Sequence, residues 1–242
     1  MSLSDLVLSA ADAKQLLGLR YAEWAVRAPS LEADIAAAAM GLDEIGHSRV
    51  LYGCLEPLGE DPRGPERQAD PAAYRNLACT DSSFPSWGHF VAANAVIDNA
   101  VSVLLGAMLE GSSEVLRTRL RKMLNEERYH LLHGRSWLAQ EPADLTRGPL
   151  GDAWREALEL IGPTDGEVAA LARAGLLSAG PGELRRRLEE RIQMTGPEVE
   201  IDWAAWDPLR RRTRPGAIDA ATFTMLRGLE ERAHAPAGAS RT

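Results

Sequence analysis

The chain has 242 residues, which is long enough to bury a sizeable core as one large domain or two small ones. Hydrophobic residues make up 45% and charged residues 26%, a composition typical of globular proteins rather than disordered ones. The net charge of −8 argues against nucleic acid as the main partner, because phosphate binding needs clustered positive charge. Two cysteines, Cys54 and Cys79, are too few for a disulfide framework and fit a reducing cytoplasm.

The sequence also argues against membrane and secreted classes. We expect no apolar run to reach the roughly 18–20 residues that span a bilayer. The N-terminal segment carries Asp5 and Asp12, and it lacks the basic region and the apolar stretch of a signal peptide. We therefore expect a cytoplasmic protein without a membrane partner.

The first two predicted elements are long helices. Ala and Leu are abundant, β-branched residues are sparse, and no alternating pattern typical of strands stands out. The first helix is predicted from about Asp5 to Val26, because Pro29 disfavours helical backbone before it. Ser30 is a good N-cap for the second helix, which extends to about Leu55.

Two further long helices follow a crossover. Residues 57–85 hold seven Gly or Pro residues and are predicted to form a long connection. The third helix starts after Pro85 and continues to about Glu110. Gly111-Ser112-Ser113 ends it and caps the fourth, which continues to about Leu138. Short, long and short connections predict an all-α, ferritin-like four-helix bundle with one long crossover.

The remainder of the chain predicts additional C-terminal helices. We expect a four-helix bundle over residues 1–140 and a helical extension over residues 141–242 that packs on the bundle. The tail from Ala235 to Thr242 is small and polar, and we expect it to be frayed. Gly-Pro pairs are expected to separate the helices of the extension, at Gly162-Pro163, Gly180-Pro181 and Gly196-Pro197.

The strongest chemical signal is a repeated Glu-x-x-His. The second helix contains Glu44 and His47, and the fourth contains Glu127 and His130. Three residues rotate a helix by about 300°, so each pair lies on one face and can bind the same metal ion. Both pairs lie on apolar stripes, where burial without a partner is costly. The alternative is a buried Glu–His hydrogen-bond network without metal.

The third helix supplies a carboxylate on its inward stripe. Asp98 lies between Ile97 and Val101 in an apolar segment. Alone it is typical of a satisfied polar core residue. Beside two Glu-x-x-His pairs it is predicted to be a metal ligand.

The first helix departs from the pattern. Reflecting Glu44 across the turn between the first two helices lands near Lys14, whereas Glu23 lies nine residues later, about 13 Å away and on the opposite face. The Lys14 ammonium can take the place of one cation and leave a one-metal or metal-free site. Alternatively the helix shifts and Asp12 or Gln15 approaches, or Lys14 extends to the surface.

Four segments carry a resemblance to a known family: Tyr21-Ala22-Glu23-Trp24, Arg27-Ala28-Pro29-Ser30-Leu31, Asp43-Glu44-Ile45-Gly46-His47 and Glu127-Arg128-Tyr129-His130. With them the chain resembles the phenylacetic acid catabolism family, the ferritin-like subunits of bacterial phenylacetyl-CoA epoxidase/monooxygenase. The resemblance covers most of the chain and is strongest over residues 20–140. It implies that five of the six iron ligands of the catalytic subunit are matched, by Glu44, His47, Asp98, Glu127 and His130.

The sixth ligand position falls on Lys14, so two functions remain open. The resemblance implies a di-iron type oxygenase subunit that acts on an aromatic acyl-CoA such as phenylacetyl-CoA, with electrons from a separate reductase. The metal is then Fe, as a pair or reduced to one ion, with Mn or no metal as alternatives. The other function is a non-catalytic structural subunit that supports a catalytic homologue. Either one implies an oligomer with a homologous ferritin-like subunit or with itself.

Other residues are weaker candidates for the same site. His133, Asp43 and Glu126 are plausible neighbours of the ligands, although each can equally be exposed. CoA phosphates would need cations, for which Arg185-Arg186-Arg187 and Arg210-Arg211-Arg212 are candidates. Arginine runs on acidic helices are more often solvated. Iron storage, which needs a cage-forming assembly, ranks last among the functions.

Overall fold

The computed structural model describes residues 2–60, 70–140 and 143–234, without the side chains of 143–145 and 230–234. Within these ranges the fold is all-α and contains no β-strand, which confirms the predicted fold class. The predicted tail from Ala235 to Thr242 lies outside the described residues. The helices are α1 Leu3–Ala22, α2 Leu31–Leu55, α3 Trp87–Leu109, α4 Glu114–Gln140, α5 Ala143–Ile161, α6 Glu167–Arg173, α7 Pro181–Ile192 and α8 Ala220–His234.

The connection between α1 and α2, residues 23–30, is longer than the sequence indicates. α1 ends at Ala22 rather than Val26, because the following backbone forms turns closed by hydrogen bonds between residues three apart. One of them runs from Ala25 N to Ala22 O at 3.2 Å. Ser30 caps α2 as predicted, since its hydroxyl accepts from the Ala33 amide at 3.3 Å. The α1–α2 turn therefore fixes an antiparallel pair.

Two glycines allow α1 and α2 to approach closely. A Cβ added at Gly41 would lie 3.0 Å from the carbonyl oxygen of Gly18, and one added at Gly18 would lie 3.0 Å from the Glu44 Cβ. Side chains that point between these helices are consequently short of space and excluded from solvent. The contact between Gly18 and Gly41 fixes which residues of α1 lie level with Glu44 along the helix axes.

α3 contains a π-helical turn over Ala93–Ile97, immediately before Asp98. The turn adds a residue to the helix and frees backbone carbonyls, two of which accept from the Asn99 side-chain amide at 3.0 and 3.1 Å. Gly134 of α4 packs against it, where an added Cβ would lie 2.8 Å from the Ala95 Cα. Single π turns of this kind are frequent at functional sites.

α3 is the central helix of the core. A continuous cluster of buried apolar side chains joins Phe90 and Leu104 of α3 to Trp154 of α5 and Leu184 of α7. Among the described residues α3 alone is long and apolar enough to cross a membrane, and 94% of the tested segment is buried inside the protein. The expectation that no apolar run reaches this length is wrong for α3.

The division of the chain into a four-helix bundle over residues 1–140 and a helical extension over residues 141–242 stays a prediction.

Candidate functional site

Four of the five predicted ligands converge in the middle of the bundle. Carboxylate oxygens of Glu44, Asp98 and Glu127 and a ring nitrogen of His130 all lie within 4.8 Å of one another. Each of the four residues is at most 1% exposed. His47 lies at the edge of the group, with Nδ1 2.8 Å from Glu127 Oε1. A set of this chemistry can hold a metal ion, whereas its binding of one stays a prediction.

The Lys14 ammonium lies among the three carboxylates. Its Nζ is 2.8 Å from Glu44 Oε1, 2.5 Å from Asp98 Oδ1 and 2.7 Å from Glu127 Oε1. Lys14 is fully buried. Because an ammonium carries three N–H donors, each donor has one carboxylate acceptor, and the acceptors come from α2, α3 and α4.

The alternatives for the first helix are resolved by the neighbours of Lys14. Asp12 and Gln15 face Tyr52, whose hydroxyl lies 2.7 Å from Asp12 Oδ1 and 2.8 Å from Gln15 Oε1. Glu23 forms an ion pair with Arg20 at 2.9 Å. The side chain from α1 that reaches the carboxylates is therefore Lys14, which does not extend to the surface.

The two histidines connect the inner carboxylates to outer ones. His130 Nδ1 lies 2.9 Å from Asp98 Oδ2 and 3.1 Å from Glu44 Oε1, and its Nε2 lies 3.5 Å from Asp43 Oδ2. His47 Nε2 is within hydrogen-bond distance of Glu126 Oε2, at 3.0 Å. Asp43 and Glu126 are thus neighbours of the cluster, as the sequence allowed.

His133 does not reach the cluster. Its Nδ1 lies 2.9 Å from Asn94 Oδ1, and its Nε2 accepts from the Trp137 indole at 3.1 Å. Burial, and to a smaller extent the nearby charge of His130, lowers the pKa of His133 to about 4. The side chain is therefore a neutral bridge between α3 and α4.

Sequence reasoning missed two polar partners of the carboxylates. The Ser102 hydroxyl donates to Glu127 Oε2 at 2.8 Å, and the Tyr21 hydroxyl donates to Asp98 Oδ2 at 3.5 Å. Ser102 follows Asp98 by four residues and Tyr21 follows Lys14 by seven, so helical spacing was the signal that could have found both.

Burial and charge shift the ionisation of the cluster in opposite directions. Burial alone would lower the pKa of Lys14, but the charges of Asp98, Glu127 and Glu44 raise it well above its usual range. Burial would raise the pKa of Asp98, but Lys14 and then His130 hold it well below its usual range. Burial and the charge of Asp98 raise the pKa of Glu44 to about 7.

Both histidines favour the protonated form. Burial would lower the pKa of His130, but Asp98 and Glu44 raise it to about 11. Burial would also lower the pKa of His47, but the net shift is upward because Glu127 stabilises the imidazolium. One ammonium and two imidazolium groups thus balance three carboxylates when all six groups are ionised.

The arginine runs are engaged within the protein. Arg186 and Arg187 pair with Glu183, with an Arg186 Nη2 to Glu183 Oε1 distance of 2.6 Å. Arg212 binds both carboxylate oxygens of Asp81, at 2.9 and 2.6 Å. These contacts are structural, and they do not single out either run as a CoA phosphate site.

Comparison with known proteins assigns the chain to a family. The family model described as phenylacetic acid catabolic protein matches residues 1–240. The chain belongs to this family. It is similar to one of the subunits of 1,2-phenylacetyl-CoA epoxidase from Escherichia coli (strain K12), with 28% identity over 185 residues, 73% of this chain and 74% of that protein. The family resemblance predicted from the sequence is confirmed.

Proposed function

We propose that this member of the phenylacetic acid catabolic protein family is a non-catalytic subunit of a phenylacetyl-CoA epoxidase-type complex, with Lys14 in place of metal. The observation that carries the proposal is the Lys14 ammonium, which lies 2.5–2.8 Å from one oxygen of each of three buried carboxylates. The coarser assignment, a part in a phenylacetate oxygenase complex, rests on the family match and on the epoxidase subunit that the chain resembles.

The donor set does not fit a pair of iron ions. Five of six ligand positions are present, and the sixth carries a cation where the family pattern has a carboxylate. At about 4 Å and an effective dielectric constant of about 20, an ammonium and a divalent ion repel by roughly 8 kcal/mol. Lys14 is fully buried, and moving its ammonium away from such an ion would break its hydrogen bonds to the three carboxylates.

The charge balance of the cluster supports a structural role. Three carboxylates on α2, α3 and α4 are compensated by Lys14 of α1 and by the two histidines. A buried network of this kind holds four helices in one arrangement without requiring an ion. We accordingly assign the oxygen chemistry on the aromatic acyl-CoA to a homologous catalytic subunit, which receives electrons from a reductase in the cytoplasm.

Metal analysis tests the proposal directly. Protein produced with added iron is expected to contain less than about a tenth of an equivalent of iron or manganese, and reconstitution should not raise this value. The Lys14→Glu variant restores the sixth carboxylate, so it should retain at least half an equivalent under the same conditions. Lys122→Glu is the matched control, because Lys122 has an 88% exposed side chain and should leave the metal content unchanged. Stoichiometric iron in the unaltered protein would overturn the proposal.

Complex formation tests the second half of the proposal. Coexpression with the homologous epoxidase subunit should give a stable hetero-complex on size-exclusion chromatography. Absence of any such complex would remove the supporting role while leaving the metal result unaffected.

A metal-dependent oxygenase subunit is the second candidate. It is favoured by the four buried groups with ligand atoms within 4.8 Å. Iron content together with oxidation of phenylacetyl-CoA by the isolated chain and a reductase would select this function over the first.

A further inference from the structure

A small cavity lies between α3, α5 and the chain segment that precedes α3. Its volume is about 180 Å³. Ala93 and Ile97, the first and last residues of the π turn, line it from α3, and Ala153 lines it from α5. Phe84 and Pro85, just before α3, complete its apolar wall. No residue that lines this cavity belongs to the carboxylate cluster described above.

One buried carboxylate lines the same cavity and is incompletely hydrogen-bonded. Glu156 of α5 is 3% exposed, and its Oε2 accepts from the Cys79 amide at 2.8 Å. Its Oε1 is buried and has no hydrogen bond to any of the described residues. A buried carboxylate oxygen without a donor is costly, so a donor is expected there. We call this space the Glu156 cavity.

The groups nearest to Glu156 are poor donors to Oε1. Arg214 Nη2 lies 3.4 Å from Oε1, and the Arg214 side chain is 56% exposed. The Cys79 thiol also lies against the carboxylate, but a thiol is a weak donor. Burial raises the pKa of Glu156, as expected for a carboxyl group removed from water without a full set of donors.

The charges around the Glu156 cavity favour a ligand that brings its own donors. Asp152 also lines it, but that side chain is exposed and pairs with Arg155 at 3.1 Å. Burial lowers the pKa of His89, a further lining residue, so its imidazole is neutral near pH 7. Glu156 and Arg214 are then the two charges that decide which ligand enters. An anion would face Glu156 inside the cavity, whereas a cation would have to replace Arg214.

An amine with an apolar ring can make both kinds of contact that the cavity offers. An apolar cavity of about 150 Å³ holds a benzene molecule, so the Glu156 cavity has room for a six-membered ring and one or two further atoms. An ammonium presents three donors from a single compact group, which suits one buried carboxylate oxygen. The ring then occupies the apolar wall, which the side chain of Arg214 leaves empty.

From these observations we propose that the Glu156 cavity binds a small primary amine with an apolar ring. The ammonium donates to Glu156 Oε1 and displaces Arg214, and the ring lies against Phe84, Ile97 and Ala153. The inference goes beyond the proposed function and does not rest on it, because the binding needs neither a metal nor Lys14.

Isothermal titration calorimetry of the full chain near neutral pH tests the ligand class. Benzylamine is the probe, and benzyl alcohol and benzoate are its neutral and anionic counterparts. Benzylamine should bind one site per chain with a dissociation constant of about 1 mM or lower. Its affinity should exceed that of each counterpart by about tenfold, because a hydrogen bond between two charged groups is stronger than one to a neutral group.

Substitutions in the cavity test the assigned contacts. Glu156→Gln should weaken benzylamine binding by about tenfold, since the acceptor loses its charge. Arg214→Gln should strengthen it by about threefold, because a competing cation is removed. Ala153→Leu should abolish binding by filling the cavity. Glu114→Gln is the matched control, because the Glu114 side chain is 77% exposed and does not line the cavity. Circular dichroism melting of each variant separates loss of the site from loss of the fold.

Four results would overturn the inference. They are the absence of saturable benzylamine binding, equal or tighter binding of benzyl alcohol or benzoate, binding that survives Glu156→Gln and Ala153→Leu in folded protein, and weaker binding by Arg214→Gln. None of these results would change the metal content or the complex formation that test the proposed function, so the two can fail independently.

Discussion

Replacing Lys14 by Met isolates the contribution of its charge. Met keeps the length and the unbranched shape of the side chain but removes three hydrogen-bond donors from Glu44, Asp98 and Glu127. Removing one partner from a buried ion pair costs about 3–5 kcal/mol, because the remaining charges stay buried. We expect a loss of about 4 kcal/mol at pH 8. For a chain of this length that corresponds to a decrease in Tm of roughly 10 °C.

The loss should depend on pH. In the unaltered protein the pKa of Asp98 lies below its usual range, so its stabilising contribution is present above about pH 4 and is lost as pH falls. Burial raises the pKa of Glu44 and Asp98, and Lys14 opposes this effect. Without Lys14 we therefore expect the folded variant to bind protons that the unfolded chain releases above about pH 4.5. The stability of Lys14→Met therefore falls as pH rises, and the penalty is larger at pH 8 than at pH 5.5.

Urea unfolding followed by circular dichroism at pH 8, 6.5 and 5.5 measures this dependence. Lys122→Met is the control, since that ammonium is exposed and its loss should change the free energy of unfolding by less than about 0.5 kcal/mol. A loss below about 1 kcal/mol at pH 8, or a loss that is the same at all three pH values, would refute the electrostatic reasoning.

Three further changes probe the fold around the cluster. Burial lowers the pKa of His133 from a usual 6.5 to about 4, so its neutral form stabilises the fold above pH 6.5 and this contribution is lost as pH falls towards 4. In urea titrations, His133→Gln should therefore reduce the change in the free energy of unfolding between pH 6.5 and pH 4 by about 2 kcal/mol. Gly134→Ala should cost about 1–3 kcal/mol in thermal melting because it presses on the π turn of α3, whereas Gly106→Ala, which has open space, should not destabilise. Arg212→Ala breaks a two-bond pair with Asp81 and should cost about 2–3 kcal/mol in the same assay.

Local sequence signals were sufficient for most helix limits. Ser30 marks the start of α2 because its side chain caps the first turn, and that interaction involves only neighbouring residues. The end of α1 was placed four residues too late. The side chain of Asp34 accepts from the Ala28 amide at 2.9 Å and fixes the turn from the other side, which a helix-by-helix prediction does not include.

The π turn in α3 could not be predicted for a related reason. Its extra residue is accommodated by the Asn99 amide and by the absence of a side chain at Gly134 of α4. Neither feature is visible in the apolar stripe of α3 itself. The stripe nevertheless placed Asp98 on the inward side correctly, because the turn ends immediately before it.

The depth of Lys14 could be predicted, but its surroundings could not. A short turn between antiparallel helices fixes which residues lie at the same height, so reflection of Glu44 reached Lys14. Whether Lys14, Asp12 or Gln15 faces the carboxylates depends on the rotation of α1. That rotation is set by the contact of Gly18 with α2 and by the hydrogen bonds of Tyr52, which link residues far apart in sequence.

The identity of the cation at the centre of the bundle also has a physical explanation. The sequence contains 27 Lys and Arg residues, of which two are lysines, Lys14 and Lys122. Arginine presents a flat fork of donors suited to one carboxylate or one phosphate, whereas an ammonium directs three donors to three separate groups. The acceptors of Lys14 lie on three different helices. A compact ammonium can donate to all three, whereas the guanidinium of arginine, the more common cation in this protein, would not. A point charge with several converging carboxylates is also the arrangement of a metal ion. Under the proposed function, the lysine preserves the packing of a metal-binding bundle and removes the need for the metal.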